Sequence, residues 1–134
     1  MAYGVIKAEM NRGDLKAGDR ICEYTGGSTG RSIAFVASIP GLNFRAVSSS
    51  AFSAAKLQAI RSYGAQVVLV ESSDGKLNPE LFRRLKDKVQ EIAVSEGSFY
   101  FDQLVHLMFA QVMLQLGQRF RGKSAAMLMH IVLQ

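Results

Sequence analysis

Glu23-Tyr24-Thr25-Gly26-Gly27-Ser28-Thr29-Gly30 is the stretch whose reading decides the fold of this 134-residue chain. Before it, Ile21 to Tyr24 has the composition of a strand; after it, a segment opening at Gly30 carries Ile33, Ala34 and Ala37 and is stopped by Pro40 and Gly41, which predicts a short helix. A glycine-rich turn between a strand and a helix lets the backbone turn tightly. It also brings N–H groups close to a ligand, where the helix start adds partial positive charge. The hydroxyls of Thr25, Ser28 and Thr29 add donors, so the stretch reads as an anion cradle.

Working outward, Asn43 to Val47, Gln66 to Val70 and Ser98 to Phe101 read as three further strands. The run Val67-Val68-Leu69-Val70 has the pattern of a strand buried on both faces. Ser53 is placed to cap a helix that buries Leu57 and Ile60 and ends at Gly64. Asn78, Pro79 and Glu80 open another, with Leu81, Leu85, Val89 and Ile92 forming one buried stripe and Arg83, Arg84, Lys86, Asp87 and Lys88 a solvated face. Ala2 to Asn11 reads as an opening helix with Val5, Ile6 and Met10 apolar, ending in a turn through Gly13 and Gly18. Tyr63, Tyr100 and Phe101 read as core packing.

The order is therefore a helix followed by βαβαβαβ, with each connection long enough to cross over. That predicts an α/β fold: an open, mainly parallel four-stranded sheet with helices on both faces, a three-layer αβα arrangement, plus a C-terminal helical or irregular tail. Ligands of such sheets bind at the carboxyl ends of the strands.

Composition sets bounds. Hydrophobic residues make up 49% and charged residues 20%, with 12 Gly and 2 Pro, the profile of one globular domain. Cys22 is alone and cannot form an internal bridge, so a reducing cytoplasm is the expected compartment. No basic, apolar leader opens the sequence, and Leu104 to Leu116, broken by His106, Gln111 and Gln115, is short of the roughly 20 residues of a membrane span. No membrane partner is expected.

The net charge of +5 is unevenly placed. Residues 1–103 hold 13 basic against 11 acidic side chains, whereas residues 104–134 hold Arg119, Arg121 and Lys123 and no acid, together with four of the six Met. Two segments are thus expected, 1–103 and a divergent Met-rich basic tail, 104–134. Three charges give only weak, salt-sensitive affinity for nucleic acid, so no nucleic-acid partner is expected. His106 and His130 have no Cys, Asp or Glu at ligand spacing, so no metal site is expected. Cys22, in a strand and without a His, reads as a buried, inert thiol.

Two better-known phosphate loops do not match. A Walker loop needs glycine where Thr25 stands and lysine where Arg31 stands, and Gly26, Gly27 and Gly30 lack the dinucleotide spacing. With Ala46-Val47-Ser48-Ser49, Ser53 and the run from Ile60 to Val70, however, the stretch resembles the small domain of the pyridoxal-phosphate-dependent cysteine synthase family, fold type II, from about Met1 to Gln103.

The resemblance implies that Thr25, Gly26, Gly27, Ser28 and Thr29 form the loop gripping the substrate α-carboxylate, with Gln103 a second substrate contact and Ser28 also facing the cofactor. Ser28 stands where the better-known sulfhydrylases have asparagine. It further implies pyridoxal phosphate as cofactor, an amino-acid substrate such as an activated serine, and lyase or transferase chemistry of cysteine biosynthesis. None of Lys7, Lys16, Lys56, Lys76, Lys86, Lys88 or Lys123 has the context of the family's Schiff-base lysine, and its later phosphate loop has no counterpart. No catalytic residue is therefore assigned, and the chain is expected to be an inactive fragment. Past Gln103 the sequence is unlike the family's Asn-Pro segment, which implies either a reading-frame break near codon 103 or a genuine helix. The rival reading is a non-catalytic α/β module holding a carboxylate or phosphate. Edge strands left bare by truncation favour aggregation or dimerisation, a homodimer being one of the two outcomes.

Overall fold

A computed structural model describes residues 2–102 and 111–116. The elements in chain order are α1 (Ala2–Arg12), β1 (Arg20–Tyr24), α2 (Ser28–Ser38), β2 (Asn43–Ser48), α3 (Ala54–Ser62), β3 (Gln66–Leu69), α4 (Pro79–Glu96) and β4 (Phe99–Tyr100). The chain divides into two compact units, Met1–Phe101 and Asp102–Gln134; within the second, residues 111–116 are helical.

The four strands form one sheet in the order β3-β2-β1-β4, and every pairing is parallel. Alternation along each strand sends neighbouring side chains to opposite faces. Ile21, Phe44 and Ala46 enter a core with Ile6 of α1, Ile33, Ala34 and Ala37 of α2 and Ile60 of α3. Cys22 and Val47 enter a second core with Leu81, Leu85, Val89 and Ile92 of α4. Helices α1, α2 and α3 therefore cover one face and α4 the other, the three-layer arrangement expected from the sequence.

The longest helix shows how local sequence sets its limits. Asn78 Oδ1 accepts from Leu81 N at 2.8 Å, Pro79 fills the first turn where no N–H is needed, and Glu80 sits at the positive end of the dipole. Its i, i+4, i+8, i+11 stripe is fully inside the second core, each such side chain contributing about 1.5–3 kcal/mol by leaving water. Gly97, at φ 62°, takes the left-handed conformation that ends the helix, and its N–H returns to Ala93 O. A charge at Leu85 would disrupt this packing first, since the residue is completely buried.

Three local expectations are corrected. Strand β3 is an edge strand rather than one buried on both faces: among the described residues it pairs only with β2, and Leu69 is 47% exposed. Four apolar residues in a row cannot distinguish an edge from an interior position, because strand order is a property of the whole sheet. Helix α2 begins at Ser28, two residues before Gly30, because Thr25 rather than an in-line cap satisfies its first turn. Ser53 occupies the N-cap of α3 but makes no side-chain capping bond. Phe101 is fully buried, while Tyr63 meets Phe35 edge to face at 5.4 Å and Tyr100 lies at the edge of the α4 core.

Candidate functional site

The glycine stretch leaves the end of β1, an interior strand, beside the end of β2. Thr25 N donates to Val47 O at 2.9 Å, carrying the ladder one residue beyond the strand, and the chain then turns into α2. Connections from β1 lead to β2 on one side, whereas β4 returns to its other side. The loop therefore stands at the topological switch of the sheet, where the crevice between diverging connections receives ligands in folds of this kind.

Thr25 organises the loop from within. It is only 5% exposed, and its Oγ1 accepts from Gly27 N at 3.3 Å and from Gly30 N at 2.9 Å. A threonine outside the helix thus replaces the side-chain cap that Gly27, the N-cap residue, cannot supply. The carbonyl of Thr25 is held in turn: the buried Ser48 Oγ donates to it at 2.7 Å. Among the described residues, the N–H groups of Ser28 and Thr29 have no intramolecular acceptor. They are the first two amides of α2, where the helix dipole favours negative charge.

The glycines are required by close approach. A Cβ on Gly26 would lie 2.3 Å from the Phe52 ring, and one on Gly27 would lie 2.6 Å from Cδ of Lys56. At Gly30 it would lie 2.4 Å from Thr25 Cγ2 and 2.8 Å from Ile60 Cδ1. The segment running from β2 into α3 therefore closes over the loop with an aromatic ring and a lysine stem. Ser48, Phe52 and Lys56 were not singled out as site residues from the sequence. The only signal was the pair Ser48-Ser49 at a strand end, since contact with a loop more than twenty residues away is not a local property.

Of the residues expected at the site, Thr25, Gly26, Gly27, Ser28 and Thr29 form one continuous turn, with Ser28 exposed and Thr29 half-buried. Gln103 lies outside the described residues, as do His106, His130, Arg119, Arg121 and Lys123. Cys22 is buried against α4; burial first, then the negative charges of Glu23 and Glu96, pushes its thiol up to about 12. Its Sγ donates to Val89 O at 3.8 Å. That is an inert thiol rather than a nucleophile.

Two polar clefts lie at the opposite end of the sheet, away from the loop. One is lined by Arg20, Arg45, Gln66 and Glu96 among others, the other by Asp14, Asp19 and Arg20. A depression of about 400 Å³ lies beside the loop, lined by Ser28, Arg31, Ser32, Phe35 and Tyr63.

This is a parallel α/β unit with a glycine turn, two of its amides unpartnered among the described residues, at the switch point of its sheet. Comparison with known proteins supplies the particular family. The model for pyridoxal-phosphate dependent enzymes matches residues 1–132, and the chain belongs to that family. It is 35% identical over 86 residues to cysteine synthase B of Pseudomonas aeruginosa, covering 64% of this chain and 27% of that protein. It is 38% identical over 69 residues to O-ureido-L-serine synthase of Streptomyces lavendulae, covering 52% and 21% respectively. The crystal structure of an O-ureido-L-serine synthase superimposes with a TM-score of 0.60 at 32% identity, over 74% of this chain and 29% of that one. The chain thus spans about a quarter of the length of the curated relatives it matches.

Pyridoxal phosphate is the cofactor that defines the family. Among the described residues, none is placed to attach the cofactor covalently or to cradle its phosphate. The amides of Ser28 and Thr29 stand unpartnered at the start of α2, and the lysine beside them, Lys56, is on the exposed surface of α3. Among the described residues, no second glycine turn at a helix start stands ready to take the cofactor phosphate.

Proposed function

We propose that this chain is the substrate-carboxylate half of a cysteine-synthase-like enzyme acting on an amino acid such as a serine activated at its side-chain oxygen. The observation that carries the reading is the pair of unpartnered amides at Ser28 and Thr29, held in place by Thr25 and Ser48 at the switch point of the sheet. A carboxylate seated there accepts two N–H bonds and faces the positive end of α2. Thr25, Gly26 and Gly27 shape the loop, Ser28 and Thr29 make the contacts, Ser28 faces the cofactor, and Gln103 supplies a second contact to the substrate. The parent chemistry is β-elimination or replacement, for which the cofactor supplies the electron sink.

No described residue is assigned to proton abstraction or to covalent attachment of the cofactor, so the chain alone is inactive. Mixed with pyridoxal phosphate and O-acetylserine, it gives no turnover and no visible absorbance beyond that of the free cofactor. Turnover above the rate of cofactor without protein would refute this. The lone cysteine supports a cytoplasmic setting, the relatives' names an amino-acid partner, and the sheet edges left unpaired among the described residues homodimerisation.

A second reading, a non-catalytic module binding a carboxylate or phosphate, is favoured by the bonds that Thr25 makes to Gly27 and Gly30 and Ser48 makes to Thr25, all within the Met1–Phe101 unit. Inorganic phosphate that binds as tightly as L-serine would support the module. Selection of the amino acid supports the enzyme half.

A further inference from the structure

We infer that Lys56 is a binding residue of this site, its ammonium pairing with the substrate carboxylate held by the Ser28 and Thr29 amides. The inference rests on the carboxylate reading proposed above and adds the charge that selects the ligand.

The stem of Lys56 lies directly on the loop. Its Cδ, Cγ and Cβ are the three atoms nearest a Cβ built on Gly27, at 2.6, 3.4 and 3.5 Å. Only Cε and Nζ remain beyond Cδ, so the ammonium is confined to the neighbourhood of the turn. Lys56 belongs to the first turns of α3, which starts at the end of β2, beside the end of β1 where the glycine turn begins. Among the described residues Lys56 has no ion-pair partner and no hydrogen-bond acceptor for its ammonium, whereas Arg12, Arg45 and Lys88 are all engaged with carboxylates.

A second cation nearby, Arg31, lines the depression with Phe35 and Tyr63 on the outer side of α2. The glycine at position 27 therefore does two things. It lets the chain turn, and it leaves room for the lysine stem, which packs its methylenes on the backbone and keeps its charged end in water beside the amides. Two amide donors alone bind any small oxyanion weakly; an added ammonium makes the interaction charge-assisted and favours a carboxylate over its neutral amide. What this selects is a ligand with a free carboxylate.

The test uses the full chain and L-serine, following the amide resonances of Ser28 and Thr29, with L-serinamide, in which an amide replaces the carboxylate, as the control. The expected result has L-serine moving both resonances and L-serinamide leaving them in place. Lys56→Met then weakens L-serine binding about fivefold, in the range of a partly solvated ion pair, while Lys56→Arg stays within about twofold of the natural chain. Unchanged α4 resonances in both variants confirm that the fold is intact. Binding by Lys56→Met equal to that of the natural chain would overturn the role of Lys56 and leave the carboxylate loop standing. Equal weakening by Lys56→Arg would also overturn it, by assigning the effect to packing instead of charge. Failure of L-serine to move Ser28 and Thr29 in the natural chain would remove the carboxylate reading and this inference with it.

Discussion

Gly30→Ala puts helix propensity and packing in direct opposition. Gly30 lies inside α2 at an ordinary helical φ, so alanine there gains about 1 kcal/mol of propensity. Against this, the new Cβ meets Thr25 Cγ2 at 2.4 Å, Thr25 Oγ1 at 2.8 Å and Ile60 Cδ1 at 2.8 Å. The isoleucine terminus can rotate away; Thr25 cannot, because it is short, branched and fixed by the Gly27 and Gly30 amides. Overpacking costs about 1–3 kcal/mol, and disturbing two hydrogen bonds adds about 0.5–1.5 kcal/mol each.

The net effect is a loss of about 1–5 kcal/mol, a fall in melting temperature of roughly 4–20 °C for a chain of this length. Urea unfolding followed by far-ultraviolet circular dichroism suits a chain without tryptophan. Thr25→Ser removes the nearest methyl and keeps the oxygen, so the cost of Gly30→Ala in that background falls by about 1 kcal/mol. The packing argument is refuted if Gly30→Ala matches or exceeds the natural chain in stability, or if its cost is the same with Ser at 25.

Three further outcomes follow from the same geometry. Ser48→Ala removes the 2.7 Å donor to the Thr25 carbonyl and lowers stability by about 1–2 kcal/mol in urea titration, with faster hydrogen exchange at Gly30. Asn78→Ala costs about 1 kcal/mol and speeds exchange of the Leu81 amide, while leaving the loop resonances unchanged. Cys22 resists a thiol reagent at pH 8 in the folded chain and reacts fully in urea. Because folding raises its pKa from 9.0 to about 12, its contribution is constant below pH 9 and is lost as pH rises through 12. A native thiol that reacts at the unfolded rate contradicts this.

Much of the fold was legible because its signals are local. The stripe from Leu81 to Ile92 and the Asn78-Pro79 start mark α4 within a few residues, and the apolar runs at β1 and β2 stand almost where they were read. The turn at Thr25 to Thr29 was also legible as a glycine turn between a strand and a helix. What was hidden was the division of labour inside it. Thr25 reads as another hydroxyl donor, yet its oxygen caps α2 from within. Phe52 and Lys56 carried no signal of a place at the turn, yet they fill the space two glycines leave open.

The sequence by itself determined the kinds of element, their order and the parallel crossovers, because periodicity, capping and glycine punctuation act over a few residues. Only the tertiary structure decided the strand order β3-β2-β1-β4, which puts Val67-Val68-Leu69 at an edge and the glycine turn at the switch point. It alone brought Ser48 under Thr25 and Lys56 over Gly27. The physical reason is that strand order and loop packing minimise the exposed surface of the whole sheet, and that quantity has no counterpart in a short stretch of sequence.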